Sequence, residues 1–190
     1  MSRQGYERAS VAAIAAEAGL VPGLVHYHFQ SKLDILVALV DLLRERLAAR
    51  IQACLAAAGD GGPRTRLGAF LDAHVATGPG ADPRAVACWV SVAAEAIREP
   101  EVRAVYQRVV EAALDELSGL VSAVFASEGR RIAGLEARAM AASLYAAIQG
   151  AYQLATAAPD ATPKGFAAPA LHRLAEALLG PAPVRKRARG

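Results

Sequence analysis

The stretch Ser10 to Lys32, SVAAIAAEAGLVPGLVHYHFQSK, constrains this chain more than any other, because it encodes a helix, a tight corner and a second short helix. Ser10 offers a side-chain oxygen to the free amides of a helix start, and Val11, Ile14, Ala15 and Ala18 follow at helical spacing. Gly19 ends that helix. Glycine takes a left-handed backbone without a steric cost, and Leu20 is then expected to pack back under the corner. Ala15 lies four residues before Gly19, where a larger side chain would hold a crossing helix away. Pro22, with its fixed φ and no amide hydrogen, suits the first turn of the second helix, which runs through Leu24, Val25 and Tyr27 to Phe29. Gln30 and Ser31 break it, and Ser31 with Asp34 makes a capping-box-like start for the next helix. This spacing fits a helix-turn-helix.

The segment GLVPGLVHYHFQSKLDIL resembles the hallmark of TetR-type transcriptional repressors, in which a glycine-containing turn leads to a short recognition helix, an aromatic-His-Phe cluster and a Ser-Lys pair. Gly5, Tyr6, Ser10, Val11, Ile14, Ala15, Gly19, Gly23, Tyr27, His28, Phe29, Ser31, Lys32 and Leu36 all fall in the expected order over residues 5–39. The resemblance implies an all-α fold with a DNA-binding head over residues 1–39, a helical ligand-binding and dimerisation domain over 40–180, and a basic tail over 181–190. It implies a cytoplasmic, ligand-responsive transcriptional regulator, a homodimeric repressor released from double-stranded operator DNA by a small molecule. Val21 and Leu24 stand where many members carry Ser, Glu or Thr, and His26 where a Tyr often touches a phosphate. Such repressors also carry a helix before the position of Gly5, and here only Met1 to Gln4 precede it, so a shortened N-terminus is expected. The segment WVSVAAEAIREPEVRAVY, from Trp89 to Tyr106, is faintly similar to the sensor half of the choline-responsive branch, and assigns no ligand.

Composition bounds the remaining classes. Apolar residues make up 54% of 190, yet charges and polar breaks interrupt every long apolar window, so a membrane span is not expected. No basic-then-apolar segment opens the chain, so nothing argues for secretion. The formal charge is +3, but Arg185, Lys186, Arg187 and Arg189 sit in the last six residues, and setting those four aside leaves −1. The basic balance is therefore a property of the tail, which reads as a solvated segment or a supplementary phosphate grip. Cys54 and Cys88 form no CxxC and read as buried thiols of a reducing compartment.

After Lys32 a long helix is expected to about Ala58, with Leu33, Leu36, Val40, Leu43, Leu47, Ile51 and Leu55 on one stripe widened by Ile35, Leu39 and Leu42. It is expected to act as a lever between head and body. GDGGP at 59–63 ends it. Further helices are expected over Arg64 to Thr77, from Pro83 with Asp82 as cap to Arg98, from Pro100 to Phe125 before a turn at Gly129, over Leu135 to Thr156, and from Gly165 to Leu179. No stretch alternates as a strand would.

Within the resemblance, Pro22, Gly23, Leu24, His26 and Tyr27 would approach base edges and backbone in the major groove. Lys32 would meet a phosphate. Ser10, Val21 and His28 complete the expected DNA-binding set, His28 as an orienting residue. Phe70, His74, Trp89, Tyr106, Tyr145, Gln149 and Tyr152 are candidates for a ligand pocket, although aromatics at helical spacing also fill cores. Leu144, Ile148, Ala151, Leu171, Leu174 and Leu178, on the last two helices, are candidates for a four-helix dimer interface.

No metal or cofactor is expected: His26 and His28, two apart on a helix, point to different sides, and His74 and His172 lack ligand partners at a recognisable interval. The competing classes are a helical-bundle enzyme, against which stands the lack of GxSxG, HExxH, GxxxxGK or Glu-x-x-His patterns, and a helical interaction protein that does not bind DNA.

Overall fold

The computed structural model describes residue 6, residues 9–75 and residues 82–181. Among them are eight α-helices and one 3-10 turn, and no strand. They are α1 (Val11–Glu17), α2 (Pro22–His28), α3 (Lys32–Ala58), α4 (Pro63–Val75), α5 (Pro83–Glu95), α6 (Pro100–Ser127), α7 (Gly134–Ala157) and α8 (Ala167–Leu179), with the 3-10 turn Pro159–Ala161 between the last two. The expected all-α architecture is therefore observed. The end of the stretch expected to reach Thr77, and the basic tail beyond Pro181, lie outside the described residues.

Helix boundaries follow the chemistry of their ends. Ser10 Oγ accepts the Ala13 amide at 3.1 Å. Asp82 Oδ1 accepts the amides of Arg84 and Ala85 at 3.0 and 3.1 Å, with Pro83 in the first turn of α5. Gly19, at φ 68°, closes α1 in the left-handed region, where its successor's amide bonds Ala15 O at 2.8 Å. The Leu20 side chain does not pack under that corner. It is 45% exposed, because the fully buried Ala15 already fills the contact and the turn is closed by backbone. Helix α5 stops at Glu95, three residues before the expected Arg98. Arg103 accounts for this: its guanidinium donates to the carbonyls of Ala96 (2.8 Å) and Ile97 (2.6 Å), satisfying helix-end acceptors in place of a further turn.

The chain divides into two compact units. The first comprises residues 1–50, 77–111 and 152–162; the second comprises 51–76, 112–151 and 163–190. The first is built on buried Leu36, Val40, Val92, Ala96, Val102 and Val105, onto which Tyr6, Leu33, Val37, Trp89, Tyr106 and Val109 pack. Thus the apolar stripe of α3 predicted from sequence is buried at Leu36 and Val40, whereas Leu42, placed on its margin, remains 43% exposed.

In the second unit, Phe70, Leu67, Leu71, Leu117, Val121, Val124, Leu144 and Ile148 are among the most deeply buried side chains. Helix α4 packs on α8, and Gly68 makes the close approach possible: a Cβ there would lie 3.2 Å from His172 Cε1. The same His172 bonds Asp72 through Nε2 at 2.7 Å, tying the two helices beside that contact. Glu128 gathers the guanidinium groups of Arg64 (2.5 Å) and Arg130 (3.1 Å), which also donate to the carbonyls of Gly180 and Leu179 at the end of α8. Hydrogen bonding from Arg64 leads the causes that hold the Glu128 carboxyl below its usual range.

Candidate nucleic-acid interface and effector region

Helices α1 and α2 pack through Ala15 and Val25, which are 0% and 6% exposed. Val25 is the anchor of α2. Around it the same short helix holds Val21 (68% exposed), Leu24 (45%) and Tyr27 (81%) in solvent. Pro22, Gly23, His26 and His28 are exposed as well, and the Tyr27 and His28 rings meet edge to face with centroids 5.1 Å apart. Large apolar side chains displayed around one buried anchor make a contact surface rather than a core face. Pro22 stands in the first turn of α2, and Phe29 leaves the helix in an extended conformation. Asp34 then fixes the exit: its Oδ2 accepts the amides of Gln30 and Ser31 at 3.0 and 2.9 Å, while Ser31 Oγ accepts the Asp34 amide at 3.1 Å. The shorter Asp therefore completes the capping box.

Lys32 has a different immediate partner from the phosphate expected of it. Its ammonium donates to Tyr6 O at 2.8 Å and lies 4.1 Å from the centre of the Tyr6 ring. Tyr6 O also accepts the Ala9 amide at 3.2 Å, so the approach to α1 is tied to the first turn of α3. Between Ala9 and Asp34 the sequence contains no other Lys or Arg.

Next to Tyr6 a crevice opens within the first unit, lined by Leu36, Cys88, Ser91, Val92, Glu95 and Val102 as well. Residues 88, 91, 92 and 95 lie on one face of α5, the spacing that could have drawn attention to Glu95. Sequence reasoning placed it inside the helix expected to reach Arg98 and gave it no role, because a lone Glu among alanines does not announce its burial. It is 4% exposed. Its Oε2 accepts from Arg98 at 3.2 Å, and Oε1 has no hydrogen-bond partner among the described residues.

The seven aromatic and polar residues proposed for a ligand pocket distribute over both units. Trp89, Tyr106 and Tyr152 belong to the first, Phe70, His74, Tyr145 and Gln149 to the second. Trp89 and Tyr106 stack at 4.9 Å, and Phe70 and His74 at 4.4 Å, with His74 Nδ1 bonded to Phe70 O at 2.9 Å. Burial pushes the Tyr106 and Tyr152 phenols up, most strongly at Tyr152, where nearby Arg50 opposes the shift. None of the seven lines the crevice beside Tyr6. Cys54 and Cys88, expected as buried thiols, are half-buried and unbonded.

Of the dimer candidates, Leu144, Ile148, Ala151 and Leu171 are buried within the single chain, at 1%, 0%, 8% and 2% exposure. Helical periodicity identifies an apolar face without saying which molecule covers it. The open face of α7 in the second unit carries Ala139, Ala142, Ser143, Ala146 and Gly150, and α8 keeps Leu174 and Leu178 half-exposed.

Residues 1–39 match the family described as bacterial regulatory proteins of the tetR family, and residues 63–180 match the BetI-type transcriptional repressor C-terminal family. The HTH-type transcriptional regulator BetI of Rhizobium meliloti (strain 1021) is 34% identical over 133 residues, 68% of this chain. The match spans 63% of that relative's length. A transcriptional regulator from Rhodococcus sp. Rha1 has a similar structure, with TM-score 0.75 and 23% identity, covering 94% of this chain and 89% of the other. A further similar structure, that of a transcriptional regulator from Saccharomonospora viridis in complex with choline, gives TM-score 0.64 and 23% identity over 94% and 88% of the two chains. No helix among the described residues is long and apolar enough to cross a membrane.

Proposed function

The chain belongs to the TetR family of bacterial regulatory proteins, with a BetI-type C-terminal region, and we propose that it binds operator DNA as a homodimer and is released by a small molecule. The observation that carries the reading is the division of labour in α2: Val25 is buried, while Val21, Leu24 and Tyr27 are held out in water around it. Exposing such side chains has no benefit for folding, whereas apolar and aromatic groups contact thymine methyls and sugar edges in a major groove. With Lys32 as the sole Lys or Arg between Ala9 and Asp34, backbone amides and shape carry more of this part of the interface than ion pairs do. Two heads on a symmetric dimer address half-sites related by a two-fold axis.

The dimer is assigned to the open faces of α7 and α8, where Ala139, Ala142, Ala146 and Gly150 permit close helix approach and Leu174 and Leu178 supply apolar area. The effector belongs to the body. The choline complex of the Saccharomonospora viridis regulator supports a small-molecule ligand, and the stacked Trp89 and Tyr106 pair supplies an aromatic surface in the body of this chain. Repression follows if the effector binds more tightly to a form whose heads are wrongly spaced for the operator.

Gel shift with the DNA upstream of the chain's own gene tests the reading. A discrete complex lost on adding an effector is expected; a chain that ignores every promoter fragment overturns it.

A further inference from the structure

We propose that the crevice beside Tyr6 receives the ammonium head of a primary amine, with Glu95 Oε1 as its principal acceptor. Glu95 closes α5 on the face that also presents Ser91 and Val92, and it is 4% exposed. One carboxylate oxygen is satisfied by Arg98; the other is buried with no donor among the described residues. A buried carboxylate oxygen without a donor is costly, and a cationic N–H group removes that cost most completely.

The chemistry around this oxygen selects an amine among donors. Ser91 spends its own hydrogen on Ala87 O at 2.9 Å, which leaves its oxygen free to accept a second N–H. Of the remaining walls, Leu36, Val92 and Val102 are apolar, and Tyr6 and the Cys88 thiol complete the lining. The apolar walls suit the methylenes next to a nitrogen and offer no ring of carbonyls to replace the water of an alkali ion. Room for a group of about 10 Å³ is that of one water-sized occupant. An –NH₃⁺ group has that size and three hydrogens to donate, whereas a trimethylammonium head is several times larger and donates none.

The surrounding charge agrees. Tyr6, in the lining, has its phenol pushed up by burial first and then by the negative charges of Glu101, Glu99 and Glu95, of which Glu95 lines the crevice. Among the described residues the nearby cations Lys32, Arg98 and Arg103 are already engaged: Lys32 on Tyr6, Arg98 on Glu95 Oε2, and Arg103 on the carbonyls closing α5.

An occupant here would bear on the residue that seats the reading head, because Tyr6 both lines the crevice and binds Lys32 and Ala9 through its carbonyl. That regulatory consequence rests on the function proposed above; the binding itself does not.

The test is an NMR titration of the full chain at neutral pH with propylamine hydrochloride, against propanol, propyltrimethylammonium chloride and sodium chloride at matched ionic strength. Saturable shifts at the amides of Ser91, Glu95 and Val102 are expected with propylamine alone, and binding at least tenfold weaker in Glu95→Gln. No saturable shift, as when the place holds only an ordered water, overturns the proposal. So does an equal response to propanol or to the quaternary ion, or undiminished binding by Glu95→Gln. Should that variant not fold, Glu95→Asp withdraws the charge by one methylene and is expected to bind several-fold more weakly; unchanged affinity again overturns the site. Operator gel shifts run in parallel keep the two readings apart: propylamine binding by a chain that binds no promoter DNA would sink the regulator and leave the amine site standing.

Discussion

Two neighbours on α2 are expected to separate folding from DNA reading. Val25 is 6% exposed and Tyr27 is 81% exposed, two residues later on a seven-residue helix. Val25→Ala deletes two carbons from a closed contact. At about 0.8 kcal/mol per buried carbon plus a cavity contribution, the loss is about 2 kcal/mol. For a chain of this length that lowers the melting temperature by about 4–8 °C. Tyr27→Ala removes a ring that water already surrounds, so stability should change by less than about 0.5 kcal/mol. If the ring stacks on sugar or thymine methyl groups, its loss weakens operator binding by about 1.4 kcal/mol, roughly tenfold. Urea unfolding at fixed chain concentration gives the first pair of numbers, and fluorescence anisotropy on a labelled promoter fragment gives the second. Refutation takes either of two forms: Tyr27→Ala destabilising as much as Val25→Ala, or Tyr27→Ala binding DNA as the parent does.

Gly19→Ala should cost about 1–2 kcal/mol in urea unfolding through its left-handed φ of 68° alone, since a Cβ there meets nothing within 4 Å; a neutral effect would show that the corner relaxes. Lys32→Ala should lower stability by about 1 kcal/mol by releasing Tyr6 O, and should weaken DNA binding with little change in salt slope; a slope reduced by about one would return Lys32 to a phosphate. The Glu128 carboxyl is held below its usual 4.5 in the folded chain, chiefly by Arg64, so the native state binds that proton less readily than the unfolded one. Its contribution is therefore complete above about pH 4.5 and disappears as pH falls through the lower folded value. Thermal unfolding between pH 6 and 3 should show an acid loss in the parent that is reduced in Glu128→Gln. Ala146→Glu, on the open face of α7, should yield a folded monomer by light scattering; an intact dimer would move the interface elsewhere.

Most of the helix boundaries were legible because their signals are local. Ser10, Asp82, Ser31 with Asp34, and the glycines at 19, 59 and 129 act on their own backbone within a few residues, and sequence shows all of those partners. What was illegible depends on the identity of a distant neighbour. Helical spacing marked Leu144 and Ile148 as an apolar face, but only the folded chain reveals that its own residues cover them. The Lys32 contact was illegible because nothing in the sequence places Tyr6 O against its ammonium. Glu95 stood in an alanine-rich part of an expected helix, and the neighbours that bury it, Leu36 of α3 and Val102 of α6, are distant in sequence.

Magnitudes limit what an amine at Glu95 could accomplish as an effector contact. Moving a two-state equilibrium from 1:99 to 99:1 requires about 5.5 kcal/mol of differential binding. One charge-assisted hydrogen bond contributes about 1.5–3 kcal/mol, which alone shifts an operator affinity by roughly ten- to a hundredfold. A dimer carries two such crevices, and if both favour the same form the contributions combine to about 3–6 kcal/mol, reaching the range of a switch. The amine site would then be a graded modulator in a monomer and a release device only in the assembled dimer. A monomeric Ala146→Glu chain should therefore bind propylamine with parental affinity per site while losing the steep effect of amine on DNA retention; equal steepness in both would disconnect Glu95 from the reading head.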